Sequence, residues 1–401
     1  MKLKPFRFIH ASDAHLGYMQ YNLLERQEDF FNAFREFVEK AKRLSPDFIV
    51  FAGDLFHDPH PSNMTLASAI EVIDSIKAPF LIVPGSHDNV YSTMVGTVLD
   101  PLHRGGHVHF LPFKPYEYED AYIYGMTNFR RRADFERESR EYFEKHPPNP
   151  KGKYNIFVLH QAVDFPTLNL HPNEVEILPI ELPRGFQYYA SGHLHMPITF
   201  KFHDSIFAYS GSLETVDYTQ YEYEKGFYLV EVDPNKEATI QKIDISGYRK
   251  YSIVRDDFTG LKANEIEKNA QELLSKVDQK GIIIVLILEG VLSHGITRAD
   301  INYEAIKSIA TNALYVHLVN KLKTSEEATE PITLARTETI YSKAGKRLDE
   351  YYKDVFRERA TEYSTLTLEL VKTLSDETIK AGERMKTAKR KIYDFYRLEK
   401  G

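Results

Sequence analysis

The chain has 401 residues, enough for two or three domains, and a hydrophobic share of 42% with 13% aromatic residues, ample for a sizeable core. Its net charge of −7 excludes a generally basic nucleic-acid coat, so any such binding must use local patches. It has no Cys, which excludes disulfides, thiolate metal sites and cysteine nucleophiles. The ligands that remain are His, Asp, Glu and Asn, a set suited to Mn, Mg, Fe or Zn. The amino terminus is charged and lacks an apolar signal core. The most apolar run, 282–288, is far too short to span a bilayer. These features predict a cytoplasmic protein with no membrane association.

In chain order, the first strand covers 6–11 and ends at Ser12-Asp13-Ala14-His15-Leu16-Gly17. Asp13 and His15 are two apart, so on an extended segment their side chains leave the same face. The pair is either half of a metal site or a capping Asp beside a surface His. The loop 18–22 either meets a substrate backbone or is simply solvated. Residues 25–44 read as a helix, with Phe30, Phe31, Phe34, Phe37 and Val38 at helical spacing as core.

The run 48–52, bounded by Asp47 and Gly53, predicts a strand buried on both faces and ending in a tight turn. Asp54 then lies just beyond the strand's carboxyl end, the edge where ligands collect in α/β sheets. Its two oxygens can bridge two cations, which points to the shared ligand of a two-metal hydrolytic centre. His57 follows three residues later and faces the same site, whereas His60 belongs to the surface. A helix over 63–76 has apolar residues on more than one face, which implies either burial on two sides or a subunit interface.

The next strand, 79–84, again ends in Gly and polar groups, Gly85-Ser86-His87-Asp88. A neighbouring carboxylate raises an imidazole's pKa and fixes its ring, so Asp88 is expected to support His87. A helix is predicted over 91–102, and short strands over 107–111 and 121–125. Arg130-Arg131-Arg132 opens a charged helix to 145, read as a solvated face with phosphate contact as the alternative. The strand 154–161 closes with His160, either a satisfied core histidine or a ligand. The strand before Gly192 leads to Gly192-His193-Leu194-His195, where two imidazoles can serve two metals. The segment 207–212 closes the sheet and 226–232 continues it.

Each motif is weak alone, but five strand ends carrying Asp-x-His, Gly-Asp, Gly-x-His-Asp, His and Gly-His-x-His have no explanation as core. With Ser12-Asp13-Ala14-His15-Leu16-Gly17-Tyr18, Gly53-Asp54-Leu55-Phe56-His57, Gly192-His193-Leu194-His195 and Tyr209-Ser210-Gly211-Ser212, the chain resembles the calcineurin-like metallophosphoesterases. It most resembles their DNA-repair branch, the double-strand-break nucleases of the meiotic-recombination-11 / SbcD type in their archaeal form. The resemblance covers 6–320, with a weaker echo in the tail.

It implies an α/β fold: a two-sheet sandwich flanked by helices over 1–245, a small α/β DNA-capping domain over 246–322, and a linker with a helical tail over 323–401. One metal would be held by Asp13, His15, Asp54 and His195. The second would be held by Asp54, Ser86, His160 and His193. His87 would be the catalytic histidine, supported by Asp88, and His57 would position the phosphate. The implied cofactors are two Mn²⁺, with Mg²⁺ less favoured. The implied activity is 3′-to-5′ exonuclease on double-strand ends and endonuclease on single strands. The implied partners are DNA ends, an SbcC-like ABC ATPase through the C-terminal helices, and a second copy through helices 63–76 and 91–102, all at the nucleoid. Most members of the family carry Asn where this chain has Ser86, which leaves a weakened DNA-binding scaffold as one alternative and a small-molecule phosphodiesterase as another.

Overall fold

A computed structural model describes residues 4–89, 96–148, 152–233, 238–329, 348, 352, 359–375 and 381–397. The strands are β1 (Phe6–Ala11), β2 (Phe48–Ala52), β3 (Phe80–Val83), β4 (His109–Phe110), β5 (Tyr116–Tyr118), β6 (Ala121–Gly125), β7 (Tyr154–His160) and β8 (Tyr188–Gly192). They continue with β9 (Ile198–Phe202), β10 (Ser205–Tyr209), β11 (Gly226–Val232), β12 (Thr239–Asp244), β13 (Tyr251–Asp257), β14 (Ile283–Val291) and β15 (Tyr315–Lys323). Two six-stranded sheets have the orders β12-β11-β1-β2-β3-β4 and β5-β6-β7-β8-β10-β9, and a three-stranded sheet has the order β13-β14-β15. β1 to β4 run parallel, as do β6, β7, β8 and β10.

The two-residue repeat of a strand explains how one apolar run fills two cores. Phe48, Val50 and Ala52 of β2, with Phe8 of β1 beside them, face the second sheet and share a core with its Ile156, Val158 and Ala190. Ile49 and Phe51 face the other way, onto Phe34 and Phe37 of helix α1 (Leu24–Leu44). The Phe8 and Phe48 rings stack at 5.3 Å with 6° between their planes. Burying each such ring stabilises the sandwich by about 1.5–3 kcal/mol. The far face of the second sheet is covered by an aromatic layer that includes Tyr124, Phe157, Tyr189 and Phe207. With both faces covered, the sheet edges fix the loops that follow the parallel strands.

Contacts divide the chain into two compact units, Met1–Asp256 with Glu267–Ile287 and Tyr303–Val319, and Asp257–Ile266 with Leu288–Asn302 and Asn320–Gly401. In the second unit, helices Ala360–Ser375 and Ala381–Arg397 pair through Lys391 Nζ to Glu369 Oε2 at 2.9 Å and the Tyr363 and Phe395 rings at 5.1 Å.

Several expectations are corrected. β11 does not continue the sheet of β10; it pairs antiparallel with β1, Phe8 opposite Val230, and so belongs to the first sheet. The strand at 107–111 shortens to β4. Strands β5, β9, β12 and β13 went unpredicted because their residues are largely polar or part-exposed. Helix α2 (Asn63–Asp74) buries Thr65, Ala69 and Ile73 along one stripe and leaves Met64 75% exposed, so within this chain it is not buried on two sides. Of the helix expected at 91–102, residues 91–95 lie outside the described part, and α3 spans Leu99–Arg104. The start of the expected linker contains a helical turn, Ser325–Thr329. Of the expected linker and helical tail, residues 330–347, 349–351 and 353–358 lie outside the described part.

Candidate metal centre

The carboxyl ends of β1, β2, β3, β7 and β8 deliver Asp13, His15, Asp54, Ser86, His87, His160, His193 and His195 to one place. Neighbouring loops are laced together: the Asp13 amide donates to Gly53 O at 3.0 Å and the His15 amide to Asp54 O at 3.0 Å. His15 Nε2 and His195 Nε2 approach to 3.2 Å, with Asp13 Oδ1 3.5 Å from His195 Nε2 and Asp54 Oδ2 3.9 Å from His15 Nε2. His160 Nε2 lies 3.2 Å from Asp54 Oδ2, and His193 Nδ1 lies 3.3 Å from His160 Nε2. Ser86 Oγ donates to Asp54 Oδ2 at 3.3 Å. Three donor groups form among the described residues: Asp13 with His15 and His195, Asp13 with Asp54 and His160, and His15 with His57 and His87.

The backbone, rather than strand alternation, aims these groups. Asp13, His15, Asp54 and His193 have φ of 54°, 46°, 52° and 88°. The expectation that Asp13 and His15 converge because they sit on an extended segment is therefore corrected: left-handed kinks turn them inward. Such conformations are rare for side chains with a Cβ and cluster at functional sites. Gly53, at φ 86°, permits the turn into Asp54. Gly192 is needed for another reason: a Cβ there would lie 2.1 Å from Ala52 O, closing the gap between β8 and β2.

The ring orientations are fixed from behind. His160 Nδ1 donates to Ala52 O at 2.7 Å, which leaves Nε2 toward Asp54. His195 Nδ1 donates to Gln220 Oε1 at 2.9 Å, which turns Nε2 inward. His87 Nδ1 donates to His57 O at 2.7 Å and its amide to Asp54 Oδ1 at 2.7 Å. The support expected from Asp88 is corrected: its carboxylate accepts from the amides of Gly85, Leu55 and Phe56 at 3.0, 3.2 and 2.9 Å. Asp88 thus ties the β2 and β3 loops together, an exchange favoured because three buried amides would otherwise lack acceptors. The His57 ring is sandwiched between Tyr18 at 3.7 Å and His87 at 4.8 Å, and its Nδ1 lies 3.3 Å from His15 Nδ1. His60 is exposed beside Asp58, as expected.

Burial opposes charge on Asp54 and Asp13, yet the neighbouring histidines outweigh it: His160 holds Asp54 well below the usual carboxylate range, and His195 holds Asp13 below it. Burial drives His15 well below its ordinary value and His57 down to about 4, and lowers His193. His160 is the exception: burial lowers it, but Asp54 overrides this and raises it to about 10. Burial, then repulsion from Asp54, pushes Asp88 up to about 7. Ionised carboxylates facing mostly neutral imidazoles form a cluster short of positive charge, the donor set that divalent cations complete. By contrast His10, fully buried between Tyr188 Oη and Ser191 O, is a satisfied core histidine pushed down to about 3 by burial.

Sequence reasoning missed Gln220 and Glu176. Glu176 accepts from Gln161 Nε2 at 2.8 Å and Ala162 N at 2.9 Å and lies 3.9 Å from His193 Nε2. Neither is at a strand end, and no local pattern marks them.

Fold and site define a class, and the family description "Calcineurin-like phosphoesterase" matches residues 6–197. The "DNA double-strand break repair protein Mre11" of Methanocaldococcus jannaschii is 31% identical over 284 residues, covering 68% of this chain and 73% of the relative. The protein of the same name from Saccharolobus solfataricus is 27% identical over 93% of this chain and 96% of its own. The chain belongs to the Mre11 family of calcineurin-like phosphoesterases. Among solved structures, TT1561 of Thermus thermophilus overlays on 60% of this chain and 99% of its own at 12% identity and a TM-score of 0.42.

Proposed function

We propose that this protein is a manganese-dependent DNA nuclease, a 3′-to-5′ exonuclease on double-strand ends and an endonuclease on single strands, acting in double-strand-break repair at the nucleoid. The observation that carries the reading is the convergence of Asp13, Asp54, His15, His160 and His195 where strands of both sheets end, with His160 3.2 Å from Asp54 and His15 3.2 Å from His195. Asp13, His15, Asp54 and His195 would hold one cation, and Asp54, Ser86, His160 and His193 the other. Divalent ions held there would supply Lewis acidity toward a bound water and the phosphoryl oxygens of a phosphodiester.

The chain's own groups do the rest. His87, with its Nδ1 proton committed to His57 O, presents Nε2 as the atom that delivers a proton to the leaving oxygen. Such a group contributes about 10²–10⁴ in rate. His57 holds His87 by its carbonyl and by ring packing, which supports a role in setting the phosphate's position. Asp88 keeps the two loops in register instead of touching substrate.

The same reading takes 1–245 as the nuclease domain, 246–322 as a DNA-capping domain and 323–401 as the segment that meets a Rad50- or SbcC-like ATPase, with α2 and the 91–102 region pairing two copies. No described helix is long and apolar enough to cross a membrane. The test is hydrolysis of end-labelled DNA with Mn²⁺ or Mg²⁺ by the native protein, His87→Asn and Ser86→Asn. Manganese-dependent cleavage lost in His87→Asn supports the reading. Activity found only in Ser86→Asn would instead mark the native chain as a scaffold, and silence in all three with the ATPase present would reject the nuclease.

A further inference from the structure

A cavity of about 1000 Å³ opens beside the metal loops. One wall is Pro84, which immediately precedes Gly85-Ser86-His87, and another is Asn128, whose side chain donates to His160 O at 2.8 Å. The cavity therefore begins within a residue or two of the metal-site loops.

Its lining is unlike the rest of this acidic chain. Four guanidiniums, Arg104, Arg130, Arg131 and Arg137, stand against two carboxylates, Asp100 and Asp134. Both carboxylates are already engaged. Asp134 accepts from Arg131 Nε at 2.6 Å and pairs with Arg137 at 3.1 Å, and Asp100 accepts the Thr97 amide at 2.9 Å. The balance is positive in a protein of net charge −7. Phe113, 57% exposed, lines the same cavity and packs on Phe110 at 4.6 Å, a ring held rigid and wet on one side. Guanidiniums suit phosphates, and an exposed ring offers a stacking face to an unpaired base. A duplex keeps its bases stacked inside and has no use for such a ring.

We propose that this cavity binds a single-stranded segment of DNA running on from the metal centre, with a phosphate on Arg104 and an unstacked base on Phe113. The inference rests on the nuclease reading and deepens it: it assigns single-strand substrates a subsite that shares Gly96, Thr97 and Asp100 with the 91–102 region proposed to pair two copies. The charge run at Arg130-Arg131-Arg132, ambiguous in sequence, then has one edge in solvent and one in this cavity.

The test uses the full chain with Mn²⁺ and three substrates, bis(4-nitrophenyl) phosphate, a duplex with a 3′ end and a circular single strand, with dAMP as competitor. The variants are Phe113→Ala and Arg104→Gln, neither of which touches the metal ligands. The expected result is about a tenfold loss of single-strand cleavage in each variant, with hydrolysis of the small ester and of the duplex end unchanged. Unchanged single-strand cleavage in both variants overturns the proposal, as does an equal loss on all three substrates in both. If dAMP inhibition weakens in the variants while single-strand cleavage holds, the cavity is a site for released nucleotide and the strand proposal falls. Failure of the native protein to cut any DNA while it hydrolyses the ester rejects the nuclease reading itself, a result distinct from the others.

Discussion

Replacing Gln220 with Leu should loosen metal binding without touching a ligand. Gln220 ends the turn Tyr218–Gln220, whose first residue follows Asp217, and the Asp217 carboxylate accepts the Thr219 amide at 2.9 Å. The turn is thus braced, and it presents Oε1 to His195 Nδ1 at 2.9 Å. That bond selects the tautomer with the proton on Nδ1 and the lone pair on Nε2, beside Asp13 and His15. One such neutral bond contributes about 0.5–1.5 kcal/mol, or roughly 2- to 12-fold in affinity. The His195 side chain is only 11% exposed, so water cannot readily replace the amide. The loss should therefore fall toward the range of about 10–100-fold known for residues that orient metal ligands. The assay is calorimetric Mn²⁺ titration of the native protein, Gln220→Leu and Gln220→Glu. Glu keeps an acceptor at the same place and should bind at least as well as the native chain. Equal affinity in Leu and native protein, or an equal loss in Leu and Glu, would refute the reasoning.

Three further outcomes are expected. Ser86→Asn should strengthen binding of the second Mn²⁺, because the amide oxygen reaches one carbon further than a hydroxyl already donated to Asp54; identical two-site titrations would contradict this. Arg26→Met should lower stability by about 3–5 kcal/mol in urea denaturation, since Arg26 is wholly buried on Asp29, Glu214, Gln20 and Thr215 O and its loss removes a cation from two carboxylates; a change below about 1 kcal/mol would sink the argument. Glu36 is held down to about 2 against burial by Lys40 and by the Ser246 and Gly247 amides. Its folded pKa is depressed, so its stabilisation is present above its ordinary 4.5 and lost as pH falls toward 2. Glu36→Gln should flatten acid unfolding in that window, modestly because the group is still partly exposed and its pairing with Lys40 is screened by solvent.

Much of the site was legible because its chemistry sits where local patterns are strongest. A buried run followed by Gly and a polar residue marks a strand end without reference to any other strand, and three such ends, with the polar ends of β1 and β7, supplied the ligand candidates. What could not be read depends on residues brought from afar. Asp88 stands next to His87 in sequence, yet its acceptors are claimed by amides, two of them from the β2 loop. Gln220 reaches His195 across 25 positions on a turn with no distinguishing composition. The partner of β11 is likewise a matter of register: its alternating pattern fits either sheet, and pairing with β1 is decided by which edge lies open.

The left-handed backbone at Asp13, His15, Asp54 and His193 has a consequence for assembly. Each such residue is disfavoured by about 1–2 kcal/mol, and nothing in the loops themselves repays that. Only the completed, mutually packed sheets hold them so. Unlike a zinc finger, whose short peptide folds around its ion, these segments would not chelate if excised or transplanted onto another scaffold. Metal loading is then a late event, open only to molecules in which distant strands have already found their places, and occupancy by metal becomes a report on the folded state of the whole nuclease body.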